Sequence, residues 1–148
     1  MKENKKVILI KDDRLGSGDL GAMMIGGFLG AVGAQADLLP KSVVLLNRGV
    51  LLGANKPIPL YKICSEGIHT IQGLWTYDGL RHEVPLEAEA ENSVALEALK
   101  ALESQGVEVL FCQTCVEFFA LDGKLGVGKV SNAMEISRLL LSHEVLSL

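Results

Sequence analysis

The sequence predicts an α/β protein with a mostly parallel five-stranded sheet and helices on both of its faces. Short apolar segments typical of buried parallel strands alternate with longer helical segments along the chain. Their order is strand, helix, strand, hairpin and then three helix–strand pairs. Hydrophobic residues make up 49% of the 148 residues, enough for the core of one compact domain. We therefore expect a single domain over residues 1–148, with an insertion at about residues 54–91.

The first strand is predicted at Val7–Ile10 and is followed by a glycine-containing loop. Gly16-Ser17-Gly18-Asp19-Leu20-Gly21 matches the dinucleotide fingerprint G-x-G-x-x-G. However, five residues separate the strand from the first glycine, where the fingerprint requires a tight turn. Asn47-Arg48, instead of an acidic residue, follows the next strand. The loop is therefore more consistent with a polar active-site loop than with nucleotide binding.

The first helix is predicted from Asp19, as its N-cap residue, to Gln35. Five glycines within it each cost about 0.8–1 kcal/mol relative to alanine, so tertiary contacts must offset the loss. Small residues recur every four positions, which predicts close packing against another element of the chain or against a neighbouring subunit; they are Ala22, Gly26, Gly30 and Ala34. The uncharged stretch Leu20–Ala36 has 17 residues, which is short for a membrane span, and we expect a buried helix without a membrane.

The second strand is predicted at Ser42–Leu46, and Asn47 follows it. At that place Asn47 has two possible roles, ligand binding or capping of the turn. Further along, Ile68–Tyr77 and Leu80–Leu86 flank Asp78-Gly79, which predicts a β-hairpin with a type I′ turn. Three residues of this region are of metal-binding type, but their spacings match no close ligand pair, and no metal site is expected; they are Cys64, His69 and His82.

The C-terminal part begins with an amphipathic helix at Ser93–Ser104 that Gly106 ends as a C-cap candidate. A buried strand follows at Val107–Phe111, and Thr114-x-x-Glu117 has the form of a capping box that opens a helix. The remaining predicted elements are the turn Asp122-Gly123, an extended segment Leu125–Val130, a helix from the capping box Asn132-x-x-Glu135 to Leu141, and a last strand Glu144–Leu148.

Cys112 and Cys115 form a Cys-x-x-Cys pair at the end of the third predicted strand. Free backbone amides and the dipole of the following helix would stabilise a thiolate at Cys112. Four interpretations remain open: a buried structural pair, one reactive thiol, a dithiol redox site, or a zinc site. Zinc would need two further ligands, and the candidates are Cys64, His69, His82 and His143.

Composition excludes several classes of function. The net charge is −4 and the basic residues are scattered, so no nucleic-acid-binding face is expected. Three cysteines without a disulfide framework favour a reducing cytoplasm. The basic start of the chain is followed by only four apolar residues, Val7–Ile10, so no signal peptide is predicted.

Four motifs in a fixed order resemble the DsrE-like family, and more narrowly the C-terminal domain of YedF-type selenium-metabolism and sulfurtransferase-like proteins. The resemblance covers about 100 of the 148 residues, within Val7–Gly49 and Asn92–Leu148. The motifs are Asp19-Leu20-Gly21 with Phe28-Leu29, Asn47-Arg48-Gly49-Val50, Gly106-Val107 through Cys112-Gln113-Thr114-Cys115, and Val127-Gly128-Lys129-Val130-Ser131-Asn132-Ala133-Met134.

The resemblance implies a five-stranded DsrE-like sheet, oligomers that are often trimers or hexamers, and, in sulfur-relay members, a cysteine that carries persulfide sulfur. Cys112 matches that cysteine, and Cys115 belongs to the YedF-type pattern. A glycine commonly follows the first cysteine there, and Gln113 replaces it here. YedF-type proteins usually carry an N-terminal domain with a Cys-Pro motif. Since this chain has none, we expect the sulfur donor or acceptor to be a separate protein, possibly with that motif.

The leading hypothesis is a cytoplasmic sulfur- or selenium-relay protein with the persulfide on Cys112 and with Cys115 as a resolving thiol or a neighbour. No cofactor is expected. The predicted binding residues are Asn47, Ser17, Gln113, Thr114 and Ser131. The alternatives are a non-catalytic oligomeric binding module with structural cysteines, and a Cys-x-x-Cys dithiol redox protein.

Overall fold

The computed structural model describes residues 6–55 and 93–148, together with the backbone of five short strands between residues 58 and 88. The elements follow in chain order as β1 (Lys6–Ile10), α1 (Gly18–Gly33), β2 (Ser42–Leu45), a 3-10 helix (Asn47–Gly53), β3 (Ile58–Pro59), β4 (His69–Ile71), β5 (Leu74–Tyr77), β6 (Leu80–Glu83), β7 (Glu87–Ala88), α2 (Ser93–Ser104), β8 (Glu108–Cys112), α3 (Gln113–Phe118), β9 (Lys129–Ser131), α4 (Ala133–Ser142) and β10 (Glu144–Ser147).

One five-stranded sheet with the strand order β10-β1-β2-β8-β9 organises the domain. All of its strands are parallel, which confirms the predicted α/β class and shows that the sheet is wholly rather than mostly parallel. In the register, Ile10 lies beside Leu45, and Leu45 beside Phe111. The carboxyl ends of β1, β2 and β8 therefore meet at one edge.

Side chains alternate between two separate cores because successive residues of a strand point to opposite faces. On one face Ile10, Leu45 and Phe111 pack with α1 and α2. On the other face Val44 and Leu110 pack with Ile136 of α4. The chain moves in one direction from β1 to β9 and then crosses back to the far side of β1, so right-handed connections place α4 opposite α1 and α2. The prediction of helices on both faces is confirmed.

Two of the predicted helix ends are confirmed in detail. α2 has the predicted bounds, and Gly106 follows it with φ +94°. The amides of Gly106 and Val107 donate to the carbonyls of Glu103 and Leu102, which is the Schellman pattern. At α4 the side chain of Asn132 accepts a hydrogen bond from the Glu135 amide at 2.9 Å, as the predicted capping box requires.

Helix α1 differs from its prediction at both ends. It begins at Gly18 with Ser17 as the N-cap residue, so Asp19 lies in the first turn, and it ends at Gly33. Gly21 is needed at the start, because a Cβ there would lie 2.6 Å from the carbonyl oxygen of Gly16. The glycines of the fingerprint-like loop therefore build the tight entry into α1, which gives them a structural reason independent of any nucleotide.

The predicted row of small residues along α1 is only partly correct. α1 packs against α2 at Gly26, where a Cβ would lie 3.0 Å from Val94 Cγ1, and at Gly33, where it would lie 3.6 Å from Leu102. In contrast, no atom of residues 6–55 or 93–148 lies within 4 Å of a Cβ built at Gly30. The contact row inside the chain thus contains Gly26 and Gly33, while Gly30 faces outward.

The predicted hairpin is present in the region at about residues 54–91. β5 and β6 pair antiparallel, with Tyr77 beside Leu80, so the two-residue connection is confirmed. The type of turn at Asp78-Gly79 lies outside the described residues. The predicted strand Ile68–Tyr77 is divided into β4 and β5, which pair with each other. β3 and β7 pair separately as a two-stranded antiparallel sheet.

Among the described helices, none combines the length and the apolar character that crossing a membrane would require.

A matched pair of glycines tests the packing of α1. Gly26→Leu should lower the free energy of unfolding by about 1–3 kcal/mol, because the new side chain has no room beside Val94. Gly27→Leu should raise it by roughly 0.6–1 kcal/mol, because a Cβ there meets no described atom within 4 Å and leucine favours the helix. Urea unfolding of both variants in dilute solution measures the difference. Equal effects of the two changes would contradict this packing.

Candidate functional site

Four strands of the sheet deliver polar residues to its carboxyl edge. Asp13 follows β1, Asn47 follows β2, Cys112 ends β8, and Ser131 ends β9. Cys112 and Ser131 are direct partners in the β8–β9 register. In open α/β sheets this edge is where ligands bind. The structure therefore brings together three of the predicted site residues at the expected edge, Asn47, Cys112 and Ser131.

Cys112 occupies the strand-to-helix junction that was predicted for it. It is the last residue of β8 and the N-cap residue of α3, with extended backbone angles of φ −62° and ψ 123°. Its side chain is half-buried and packs against the core beneath α4. It makes no capping hydrogen bond, so its sulfur is not committed to closing the helix end.

The capping box predicted at Thr114 is wrong. α3 begins at Gln113, and Thr114 therefore lies inside its first turn and is exposed. The strand runs one residue further than predicted, to Cys112, and leaves the N-cap position to that residue. Gln113 is also exposed, and its side-chain amide donates to the Glu117 carboxylate at 3.2 Å. Both predicted binding residues thus flank the thiols on the surface.

Cys115 lies within α3, near Cys112, and both cysteines are free thiols. The Cys115 Sγ accepts a hydrogen bond from the backbone N–H of Asn47, with 3.1 Å between nitrogen and sulfur. Burial raises the pKa of the Cys115 thiol, a hydrogen bond with the Cys112 side chain raises it further, and the Asn47 amide acts in the opposite direction. Cys115 is consequently a protonated thiol at neutral pH.

Asn47 aims its amide at Cys115 because its backbone is left-handed, with φ +51°. Asparagine adopts this region more readily than most residues. Its side-chain oxygen accepts a hydrogen bond from the Arg48 amide at 2.8 Å, so it has the turn-capping role that was one of its two predicted roles. Gly49 follows because a Cβ there would lie 2.5 Å from the Ile10 carbonyl oxygen. The backbone of Asn47 and the lack of a side chain at Gly49 thus fix the path of the turn that follows β2.

Asp13 and Arg48 form an ion pair at the same edge of the sheet. This pair was not predicted from the sequence. Arg48 Nη2 lies 3.1 Å from Asp13 Oδ2, and Arg48 Nε lies 3.3 Å from Asp13 Oδ1. The Asp13 side chain is only 13% exposed. Burial alone would raise the pKa of Asp13, but hydrogen bonds from Asp12 and Arg48 hold it below its usual range. The pKa of Asp12 is raised by its burial and by the same contact with Asp13.

A signal for this pair was present in the sequence. Asp12-Asp13 comes almost directly after the first buried strand, and Arg48 comes soon after the second. Because neighbouring parallel strands end at the same edge, opposite charges placed after both of them can meet. The segment Asp12–Gly18 was predicted only as a polar loop, and the pairing partner was overlooked.

The two predicted serines differ. Ser131 is 6% exposed, and its hydroxyl has no hydrogen-bond partner in the part of the chain that the structure describes. Ser17 is exposed at the start of α1, and its side chain makes no capping hydrogen bond. No described contact connects Ser17 with the thiols. Ser131 therefore belongs to the candidate site by position, and Ser17 is not brought into it by these contacts.

Within residues 6–55 and 93–148, no three histidine, cysteine or acidic side chains are grouped as metal ligands. Three of the candidate zinc ligands considered above, Cys64, His69 and His82, have side chains outside the described part. The fourth, His143, lies at the end of α4, where its Nδ1 is 2.9 Å from the Leu139 carbonyl oxygen.

Comparison with known proteins identifies the fold. No protein-family profile and no curated protein sequence matches the chain. Among solved structures, the crystal structure of the ychN protein from E. coli is similar, with a TM-score of 0.57 and 17% sequence identity. The alignment covers 99% of this chain and 100% of ychN. The ychN protein has a DsrE-like fold, so the fold implied by the sequence resemblance is confirmed.

The different surroundings of the thiols predict an order of reactivity. Iodoacetamide at neutral pH should modify Cys112 before Cys115, because the raised pKa of Cys115 leaves it little thiolate. Cys64 should also react after Cys112. Peptide mass spectrometry of samples quenched at intervals gives the rate at each site. Modification of Cys115 or Cys64 ahead of Cys112 in the native protein would contradict the assignment of Cys112 as the reactive thiol.

Proposed function

We propose that this protein is a sulfur- or selenium-relay protein that carries the transferred atom on Cys112. The observation that carries the proposal is the asymmetric thiol pair at the carboxyl edge of the sheet. Cys115 is a protonated thiol held by the Asn47 amide at 3.1 Å, and it shares a hydrogen bond with the Cys112 side chain. A neutral thiol beside a second sulfur donates a hydrogen bond to it. Cys112 is therefore the hydrogen-bond acceptor of the pair, and we assign it as the nucleophile.

The transfer requires neither an oxidant nor a reductant. The Cys112 thiolate attacks the outer sulfur of a donor persulfide, R–S–SH, and a new bond forms between that sulfur and Cys112 Sγ. The S–S bond of the donor breaks, and its electron pair leaves with the inner sulfur as R–S⁻. Cys112 then holds a persulfide, Cys–S–SH. An acceptor nucleophile removes the outer sulfur in the same way and returns the Cys112 thiolate.

The raised pKa of Cys115 protects the carried sulfur. A Cys115 thiolate would attack Cys112 Sγ of the persulfide, giving a Cys112–Cys115 disulfide and releasing HS⁻. Because partial burial and the hydrogen bond with Cys112 raise the pKa of the Cys115 thiol, this attack is suppressed at neutral pH. Cys115 thus acts as a hydrogen-bond donor beside the reacting sulfur in this proposal, instead of acting as a resolving thiol.

The nearness of the two thiols also supports a second function, a dithiol redox protein. In that case Cys112 and Cys115 cycle between the free thiols seen here and a disulfide. The reduction potential of the pair decides between the two. A potential in the range of known thiol–disulfide oxidoreductases, together with the absence of persulfide, would favour the redox function.

The proposed relay works with separate donor and acceptor proteins in the cytoplasm and as a homo-oligomer. The oligomer is supported by the outward face of α1, where large apolar side chains lie next to open glycines. Leu20 and Met23 are 69% and 72% exposed, and none of the residues that the structure describes lies within 4 Å of a Cβ built at Gly27 or Gly30. Exposed apolar surface of this kind marks an interaction site, and glycines let a second backbone approach closely.

Intact-mass analysis tests the relay. Protein incubated with an inorganic polysulfide and desalted without reductant should gain about 32 Da, because one sulfur atom is added as a persulfide. Cys112→Ser should abolish the gain, whereas Cys115→Ser should retain it at first and show how fast the adduct decays. A gain that survives Cys112→Ser and disappears in Cys115→Ser would refute the assignment.

Sedimentation equilibrium tests the oligomer. The wild-type protein at tens of micromolar should sediment as a multiple of the 15.9 kDa chain. Gly30→Leu should reduce association, since the added side chain fills the space that a neighbouring subunit would occupy, while the described part of the single chain has room for it. Asp122→Ala, at an exposed turn, serves as the control. A monomeric wild type would rule out this interface.

A further inference from the structure

We infer that Asp13 and Arg48 are positioning residues for the thiol pair, acting through the turn that presents the Asn47 amide to Cys115. The inference rests on a continuous series of contacts that connects the ends of β1, β2 and β8. Its effect on the thiol is independent of sulfur relay, whereas its importance for turnover rests on the proposed function.

The series begins with a two-point contact. The Arg48 guanidinium donates through Nη2 and Nε to the two carboxylate oxygens of Asp13, at 3.1 and 3.3 Å. Such a fork fixes both the distance and the orientation of the arginine. The two side chains are 23% and 13% exposed, so water competes weakly for the contact. The end of β1 therefore holds the side chain of the residue next to Asn47.

The next two contacts transmit this constraint to sulfur. The Arg48 amide donates to Asn47 Oδ1 at 2.8 Å, and the Asn47 amide donates to Cys115 Sγ at 3.1 Å. Backbone bonds hold both sides of the turn, from Leu46 N–H to the Ile10 carbonyl and from Gly49 N–H to the Leu46 carbonyl. Between these anchors, Asn47 has a left-handed backbone, a conformation that asparagine adopts more readily than most residues. The fork between the Arg48 side chain and Asp13 ties this turn to the end of β1.

Two further charged groups contact the ion pair: Asp12 Oδ1 lies 3.7 Å from Arg48 Nε, and Arg14 Nη1 lies 3.5 Å from Asp13 Oδ1. Cys112 is the titratable side chain that interacts with Cys115. On the elements flanking the thiol, Arg48 is engaged with Asp13, and Glu117 accepts a hydrogen bond from Gln113. Removing the ion pair should therefore change Cys115 through the Asn47 amide. A hydrogen bond from that amide favours the thiolate, so its loss moves the ionisation of Cys115 to higher pH.

The test is the pH dependence of iodoacetamide alkylation at Cys115, read site by site in the full chain by peptide mass spectrometry. Asp13→Asn and Arg48→Gln should each raise the midpoint of the profile by about one pH unit, which makes alkylation roughly tenfold slower below the midpoint. The limiting rate at high pH reports accessibility, which separates a looser site from a less stable thiolate. Arg48→Lys, which keeps the charge without the fork, should give a smaller shift.

Two further variants make the result decisive. The double variant Asp13→Asn/Arg48→Gln should shift the midpoint by less than the sum of the two single shifts, because both changes break the Asp13–Arg48 contact. Glu108→Gln breaks the ion pair with Lys129, 3.5 Å apart at the opposite end of β8, and should leave the profile unchanged. Any of three results would overturn the inference. They are an unshifted midpoint in the folded single variants, a shift in the double variant that equals the sum of the single shifts, and an equal shift in Glu108→Gln.

The outcome is separable from that of the relay. If Cys112 fails to take up sulfur but the midpoint still shifts, the proposed function is wrong and the positioning role stands. If persulfide forms while the midpoint stays constant, the positioning role is wrong and the relay stands. Should Asp13→Asn unfold, as a thermal melt by circular dichroism would show, Arg48→Lys decides, and an unshifted midpoint in that variant counts against the inference.

Discussion

The parallel register of β1, β2 and β8 is the constraint on which the candidate site depends. With Ile10 beside Leu45 and Leu45 beside Phe111, the residues that leave these three strands emerge at one edge. A shift of one residue in β8 would turn Cys112 to the opposite face of the sheet. The buried apolar side chains on both faces prevent such a shift, since each would move into the wrong core. Two-sided burial thus holds the thiols in place.

Burial also separates the two cysteines chemically, although they are only three positions apart. Cys115 packs against the core that contains α1 and α2, whereas Cys112 packs against the core beneath α4. Partial burial and the neighbouring Cys112 side chain raise the pKa of the Cys115 thiol, whereas the Asn47 amide lowers it, and the net effect keeps the thiol protonated at neutral pH. The strand-to-helix junction therefore gives two identical side chains different surroundings, and the proposed sulfur relay depends on that difference.

Helix α1 shows how one glycine-rich segment serves two surfaces. Gly26 and Gly33 permit close packing on α2, and this contact offsets part of their cost in helix stability. Gly27 and Gly30 have no such contact with the described part of the chain, although they cost the helix as much. Their presence next to exposed Leu20 and Met23 is accounted for if a second chain covers this face. The glycine content thus connects the fold of one chain with its proposed association.

The sequence by itself determined the fold class, the element order, the α2 bounds and the strand-end position of Cys112, because apolar periodicity and capping residues act over a few neighbouring positions. Only the tertiary structure decided that α3 begins at Gln113, that Asp13 pairs with Arg48, and that the Asn47 amide meets Cys115. These contacts join residues 35 and 68 positions apart. They exist because three strands end together, and local sequence contains the residues for them but not the register that brings them into contact.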